Sequence, residues 1–269
     1  MSIKSVSGII CSKAPEREPK VGILLGSGLG SFTDLVEDQI IISYDDLQGF
    51  PNTGVQGHTG QLVLGKVHEI EVALLQGRAH YYEKGSADAM RTPIHTLKEL
   101  GCDLLILPNA AGSLVSEAQP GSIMLLTDHI NFTGVSPLFS EIESSRFVDM
   151  VDAYDPNLCD QLRKASLSKG ITLHEGVYIW FCGPSFETPA EIKAAKKLGA
   201  AVVGMATVPE VILARFFGLK VAALSIITNM AAGISNIALS HDQTIENAKY
   251  ATHNLELLLG DFILNYENS

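Results

Sequence analysis

Several side chains able to do chemistry stand just past apolar runs. In QGRAHYYE (residues 76–83), Arg78 and His80 follow the strand-like IEVALL, and Tyr82 lies two positions on. Alternate residues of an extended chain point the same way, so Arg78, His80 and Tyr82 share a face if the segment stays extended. Arginine offers a two-pronged fork to a phosphate, and histidine adds a donor. The plainer alternative is a surface arginine beside a structural histidine. In GPSFET (183–188), Glu187 can accept N–H donors from a ligand while Phe186 stacks on a flat ring, unless the carboxylate is merely solvated. Asn229 ends the otherwise apolar run LSIIT, where a buried amide needs partners from nearby backbone or from a ligand.

Glycine-rich turns accompany these groups. GSGLG (26–30) follows VGILL and has three readings. It is a simple strand-to-helix turn, a dinucleotide fingerprint or a smaller anion cradle. The fingerprint G-x-G-x-x-G fails at its third glycine, which is Ser31, although Asp45 lies about twenty positions on. A Walker A loop fails as well, because no G-K-[ST] follows. The cradle would use the Ser27 hydroxyl and successive backbone N–H groups. NAAG (109–112) carries side chains too small for much chemistry, so its use is a tight turn or exposed backbone N–H groups. His58, between glycines in GHTG, is a flexible-loop candidate. The absence of a G-x-S-x-G elbow, an HExxH pair and a cysteine-nucleophile arrangement argues against acyl transfer and metal-dependent hydrolysis.

These loops need a frame. Apolar strand candidates begin at Val21, Gln39, Gly60, Asp103, Gly121, Gly176, Ala201 and Lys220, with the stretch from Gly60 to Gly77 reading as two strands. Amphipathic helical segments separate the later ones, and a long helix closes the chain. The alternation predicts an α/β fold, a mostly parallel sheet with helices on both faces. No linker or repeat interrupts it, so residues 21–269 read as one domain after a loosely held N-terminal arm at 1–20. Ligands of such sheets bind outside the carboxyl ends of the strands, which is where the motifs above fall.

Composition narrows the function classes. The chain has 269 residues and a net charge of −11, and it lacks a Lys/Arg-rich run. Nucleic acid is therefore not the expected partner, while a local phosphate site remains compatible. Cys11, Cys102, Cys159 and Cys182 are widely spaced, which fits neither a disulfide framework nor a structural metal. Neither a membrane span nor a signal peptide is legible, so a cytoplasmic protein is expected.

Taken together the motifs resemble the trimeric class of the purine nucleoside phosphorylase family, which also contains methylthioadenosine phosphorylases. The carrying segments are GSGLG (26–30), GHTG (57–60), QGRAHYYE (76–83), PNAAGSL (108–114), TDHINF (127–132), GPSFET (183–188), VGMATVPE (203–210) and SIITNMAAG (225–233), in order along the chain. The resemblance implies a mixed, distorted barrel-like sheet and phosphorolysis of purine nucleosides to base and (deoxy)ribose 1-phosphate. Inorganic phosphate is then a co-substrate, with no metal or organic cofactor. It implies phosphate binding by Ser27, Arg78, His80 and the Ala110 N–H, with His58 as a loop gate. Tyr82 and Met205 would line the ribose, His241 would meet its 5′-hydroxyl, and Phe186, Glu187 and Asn229 would hold the purine. Catalytic roles fall to Asn229, Glu187, His80 and His58. A homotrimer is implied, with Phe147 the candidate aromatic lent to a neighbouring site.

Three features of this chain refine that expectation. Methylthioadenosine phosphorylases carry Asp at the Asn229 position and an apolar residue at His241, so Asn229 and His241 favour a 6-oxopurine nucleoside with a free 5′-hydroxyl. Position 206 is alanine where many members have a phosphate-binding serine, for which Thr207 or backbone N–H groups would have to substitute. Met230, where mammalian members have lysine, looks bacterial and leaves tolerance of xanthosine open. A nucleoside hydrolase would want an Asp-rich calcium site, and a non-catalytic nucleoside binder would not need Arg78 and His80.

Overall fold

The apolar runs pair side by side. The computed structural model describes residues 4–26, 28–52, 59–142, 144–235 and 241–266, with backbone alone at 4–5, 241–246 and 248–250. Its strands are β1 (Val21–Leu25), β2 (Glu37–Ser43), β3 (Gln61–Val67), β4 (Ile70–Gln76), β5 (Leu104–Ser113), β6 (Ile123–Asn131), β7 (Leu173–Trp180), β8 (Ala200–Gly204) and β9 (Lys220–Met230). They form one sheet in the order β2-β3-β4-β1-β5-β8-β7-β6-β9, and β5 also pairs with β9. That extra pairing closes β5, β8, β7, β6 and β9 into a ring, leaving β2, β3, β4 and β1 as a wing. The sheet is mixed: β1–β4, β1–β5, β5–β9, β6–β7 and β7–β8 are parallel. The remaining pairings, β2–β3, β3–β4, β5–β8 and β6–β9, are antiparallel. The expected single α/β domain with a distorted barrel-like sheet is what the chain adopts.

Seven helices among the described residues cover it: α1 (Lys4–Lys13), α2 (Tyr81–Lys84), α3 (Arg91–Glu99), α4 (Pro156–Ser168), α5 (Pro189–Lys197), α6 (Val208–Phe216) and α7 (His241–Leu264). Their starts follow capping chemistry. Asp155 accepts the N–H groups of Asn157 and Leu158 ahead of Pro156, and Thr188 with Glu191 forms a reciprocal capping box ahead of Pro189. One large apolar cluster runs from Val6 to Ile263, and a smaller one (Leu114, Ile179, Ile192, Val203 among others) lies beneath α5.

Residues 4–20 depart from the expected loose arm. Val6 and Ile10 of α1, with Ala14 just beyond it, are buried in the main cluster. Their i, i+4, i+8 spacing lays one apolar stripe on the core, and that burial outweighs the flanking charges. Among the described residues no helix is long and apolar enough to cross a membrane.

Candidate active site

A crevice opens where β5 changes neighbours. β5 pairs with β1 through Leu104–Ile106 and with β8 only at Gly112 and Ser113. Between those points its strand partner is β9 alone. A cavity of about 340 Å³ occupies the gap, at a change of strand partners of the kind where open α/β sheets take ligands. The Pro108 carbonyl faces this free edge, because it accepts a hydrogen bond from Arg78. Backbone groups repeat their direction every second residue of a strand, so the N–H of Ala110 faces the same edge. Gly26, at the end of β1, lets the walls close: a Cβ there would lie 3.3 Å from the Pro108 oxygen.

Arg78 and its neighbours form one end. β4 stops at Gln76, and Gly77 turns the chain with φ +128°. Arg78 is 1% exposed. Its Nη2 donates to the carbonyls of Leu24 (3.0 Å) and Pro108 (2.8 Å), and Nη1 stands 3.5 Å from Glu210 Oε1. The guanidinium thus ties β1 and β5 to α6. The segment does not stay extended as the alternation rule requires, since α2 begins at Tyr81 with His80 as its N-cap. Arg78, His80 and Tyr82 reach the cavity all the same, by a turn rather than along one strand face. Glu83 Oε1 accepts the His80 N–H at 2.6 Å and lies 3.3 Å from its Nδ1. The His80 ring stacks on Tyr82 with centroids 4.8 Å apart. Burial pushes the Tyr82 phenol up to about 12, so it stays a neutral hydroxyl near pH 7.

The other end is built by the loop after β7 and by the end of β9. Phe186 and Glu187 line the cavity just before the Thr188 cap of α5. Thr188 Oγ1 accepts the Glu191 N–H at 3.2 Å, and Glu191 Oε2 accepts the Thr188 N–H at 2.7 Å. That reciprocal pair fixes the backbone beside Glu187. Glu187 is 8% exposed, and its Oε1 has no hydrogen-bond partner among the described residues. Burial pushes its carboxyl above the usual carboxylate range, with Glu191 adding to the rise against a backbone hydrogen bond. A buried acceptor left open in this way calls for a donor.

Thr228 and Asn229 both line the cavity although they are adjacent in β9. The β5–β9 register jumps from Ala111↔Ile227 to Gly112↔Asn229, so Thr228 is the extra residue of a bulge. A bulge breaks the strict alternation of faces. Thr228 Oγ1 donates to Asn229 Oδ1 at 2.9 Å, and Asn229 Nδ2 donates to the Met230 carbonyl at 3.1 Å. One lone pair of Oδ1 and one proton of Nδ2 remain for other partners.

Met205 and Ala206 form the third wall, after β8. The Ala206 N–H donates to the Tyr178 hydroxyl at 3.3 Å, an internal partner for one of the backbone donors expected to substitute for a hydroxyl at position 206. Tyr178 can sit there because Gly204 has no Cβ, which would overlap its hydroxyl. Thr207 has φ +76° and ψ −50°, and the Val208 N–H donates to the Ala206 carbonyl at 2.9 Å. This is a strained γ-turn at the start of α6. Thr207 is fully buried, and its Oγ1 lacks a partner among the described residues.

Of the residues singled out from sequence, Arg78, His80, Tyr82, Ala110, Phe186, Glu187, Met205 and Asn229 all line this one cavity. Ser27, His58 and the side chain of His241 lie outside the described residues. Phe147 is 79% exposed and is not part of the wall. Sequence reasoning missed Thr228, whose inward turn depends on an invisible bulge, and the side chain of Asn109. Among the described residues no cluster of His, Cys, Asp and Glu is arranged to hold a metal ion.

Comparison with known proteins places the chain in a family. The Phosphorylase superfamily model matches residues 20–264. Purine nucleoside phosphorylase 1 of Bacillus subtilis is 40% identical over 268 residues, covering 98% of each chain. Two crystal structures of Schistosoma mansoni purine nucleoside phosphorylase superpose with TM-scores of 0.92 over 99% of this chain. One is in complex with inosine, at 31% identity and covering 97% of that chain. The other is in complex with adenosine, at 33% identity and covering 98% of that chain.

Proposed function

The chain belongs to the phosphorylase superfamily, among its purine nucleoside phosphorylases, and from that premise we propose that it phosphorolyses 6-oxopurine nucleosides: inosine, guanosine and their deoxy forms. The observation that carries the 6-oxo preference is the buried Glu187 carboxylate with an unpartnered oxygen among the described residues, in the same cavity wall as Asn229. Inosine and guanosine present an N1–H donor to such a carboxylate. Adenosine presents a lone pair there, which repels it or forces its protonation. A lost charge-assisted bond costs roughly 1.5–3 kcal/mol, and the stranded carboxylate adds to that. Discrimination of roughly two to four decades follows. The related enzyme that binds both inosine and adenosine makes this chain's own residues, rather than kinship, the basis of the preference.

In this reading Arg78, His80, the Ala110 N–H and Ser27 hold inorganic phosphate at one end of the cavity, with His58 as a gate. Tyr82 and Met205 flank the ribose, and His241 meets the 5′-hydroxyl. Phe186 stacks on the purine. A phosphate oxygen attacks the anomeric carbon as the bond to purine N9 breaks, and the electron pair leaves with the base. Positive charge builds on the ribose beside the phosphate, and negative charge on the purine. As N7 takes up a proton, the free lone pair of Asn229 Oδ1 accepts its hydrogen bond, which strengthens in the transition state. The products are the free base and (deoxy)ribose 1-phosphate.

The active form in this reading is a homotrimer in the cytoplasm. Phe139, Ile142, Phe147 and Val151 are each more than 70% exposed within one stretch, more apolar surface than a monomer needs to display there. Phe147 is the aromatic it would lend to a neighbour's sugar pocket. All four cysteines are free, which suits a reducing compartment.

Steady-state kcat/KM values for inosine, guanosine and adenosine at saturating phosphate test the proposal. The first two should exceed the third by at least about 100-fold, and Asn229→Asp should narrow the gap. Equal values for inosine and adenosine would overturn it.

A further inference from the structure

The bulge that turns Thr228 into the cavity takes its backbone out of the sheet. Thr228 is fully buried and has no register partner on β5 or β6, the two neighbours of β9. The extra residue of a bulge stands outside the ladder, and a buried carbonyl without a donor destabilises a fold. The donor comes from α7. Asn247 Nδ2 donates to the Thr228 carbonyl at 2.6 Å, across 19 positions of chain. Asparagine is a poor helix former, because its side chain competes with the helix for backbone bonds. Inside α7 its side chain instead serves the strand.

The bond joins two parts of the nucleoside site. On the strand side, the residue it holds is the one whose hydroxyl donates to Asn229 Oδ1 at 2.9 Å. On the helix side, Asn247 lies six residues after His241, about 9 Å along the axis at 1.5 Å per residue. Further along, Ala251, Leu255, Leu258, Leu259 and Phe262 are buried, so an apolar face holds the later turns of α7. The polar tie at Asn247 extends that hold toward the turn that begins at His241. We propose that Asn247 is a positioning residue for nucleoside binding. By fastening the early part of α7 to the β9 bulge, it sets the group that meets the sugar 5′-hydroxyl relative to the amide that meets the base. The inference rests on the roles given above to His241 and Asn229.

The test compares wild type, Asn247→Asp and Asn247→Ala on inosine and on 5′-deoxyinosine, with the KM of phosphate measured alongside. Asp keeps the shape but sets an acceptor oxygen against the carbonyl. Ala removes the donor and favours a helix more than Asn does, so α7 itself is not weakened. This second variant decides the matter if Asn247→Asp does not fold. Each variant should raise the inosine KM by roughly 3- to 10-fold, the loss expected for one neutral hydrogen bond. The phosphate KM should stay within about twofold, since no phosphate contact is touched. 5′-Deoxyinosine has no hydroxyl for His241 to meet, so its KM should also stay within about twofold. A merely structural role would raise the KM of both nucleosides alike. Equal rises for the two nucleosides, a matching rise for phosphate, or an unchanged inosine KM in either folded variant would overturn the role of Asn247. Equal KM values of wild type for inosine and 5′-deoxyinosine would instead overturn the role of His241 on which the inference rests.

Discussion

Gly112 on β5 and Asn229 on β9 approach so closely that a Cβ on Gly112 would lie 3.0 Å from Asn229 Nδ2. The glycine therefore makes room for the amide proposed to meet the purine. Val203 Cγ1, at 3.3 Å from the same point, blocks the other way out. We expect Gly112→Ala to displace the amide and lower kcat on inosine by roughly tenfold, as the loss of one transition-state hydrogen bond would. The overpacking should cost about 1–3 kcal/mol of stability. Steady-state kinetics and urea unfolding read the two effects separately.

Thr228 acts on the same amide from the other side. Its hydroxyl donates to Asn229 Oδ1 at 2.9 Å and lies 3.4 Å from the Ala111 carbonyl. Thr228→Val keeps the shape and removes the donor. A fall in kcat of roughly 3- to 10-fold with little change in phosphate KM is expected, measured on inosine at saturating phosphate.

Glu187 links function to pH. Burial raises its folded-state pKa above the unfolded value. The stability tied to this group is then complete below the unfolded pKa and is lost as pH rises through the folded pKa. Glutamine does not ionise and escapes that loss. Glu187→Gln should therefore be more stable than wild type at about pH 8, and the difference should vanish at about pH 4. Activity on inosine should drop by roughly 10- to 100-fold with the charge-assisted bond gone. Urea unfolding at both pH values, alongside kinetics, checks this exchange of stability for function.

Tyr178 holds the third wall. Replacing it by Phe removes the acceptor of the Ala206 N–H. A cost of about 1–3 kcal/mol is expected for that stranded donor, read by urea unfolding. The inosine KM should rise with it, because Met205 hangs from the same loop.

Much of this was legible in the residues. Apolar runs such as VGILL and LLILPNAAG are strands buried on both faces, and their polar or glycine-rich ends converge on one cavity. Glu187 and Asn229 stood out because carboxylates and amides at the ends of apolar strands need partners. Other features rest on long-range pairing that leaves no local mark. Thr228 faces inward only because the register of β5 and β9 slips there. Asn109 is aimed only because Ser225, 116 positions away, holds its oxygen. The turn at Gly77 and the short helix from Tyr81 replaced a simple extended segment, since a glycine at positive φ redirects the chain without a sequence period to announce it. Residues 4–14 read as a loose arm in sequence because three apolar positions at helical spacing (Val6, Ile10 and Ala14) are diluted by their charged surroundings.

The central claim is that bond cleavage requires phosphate. Purified protein incubated with inosine, with and without inorganic phosphate, reports it directly through hypoxanthine release and the sugar product. The account predicts release only with phosphate, in equal amount to ribose 1-phosphate. Equal release in phosphate-free buffer, with free ribose as product, would contradict it.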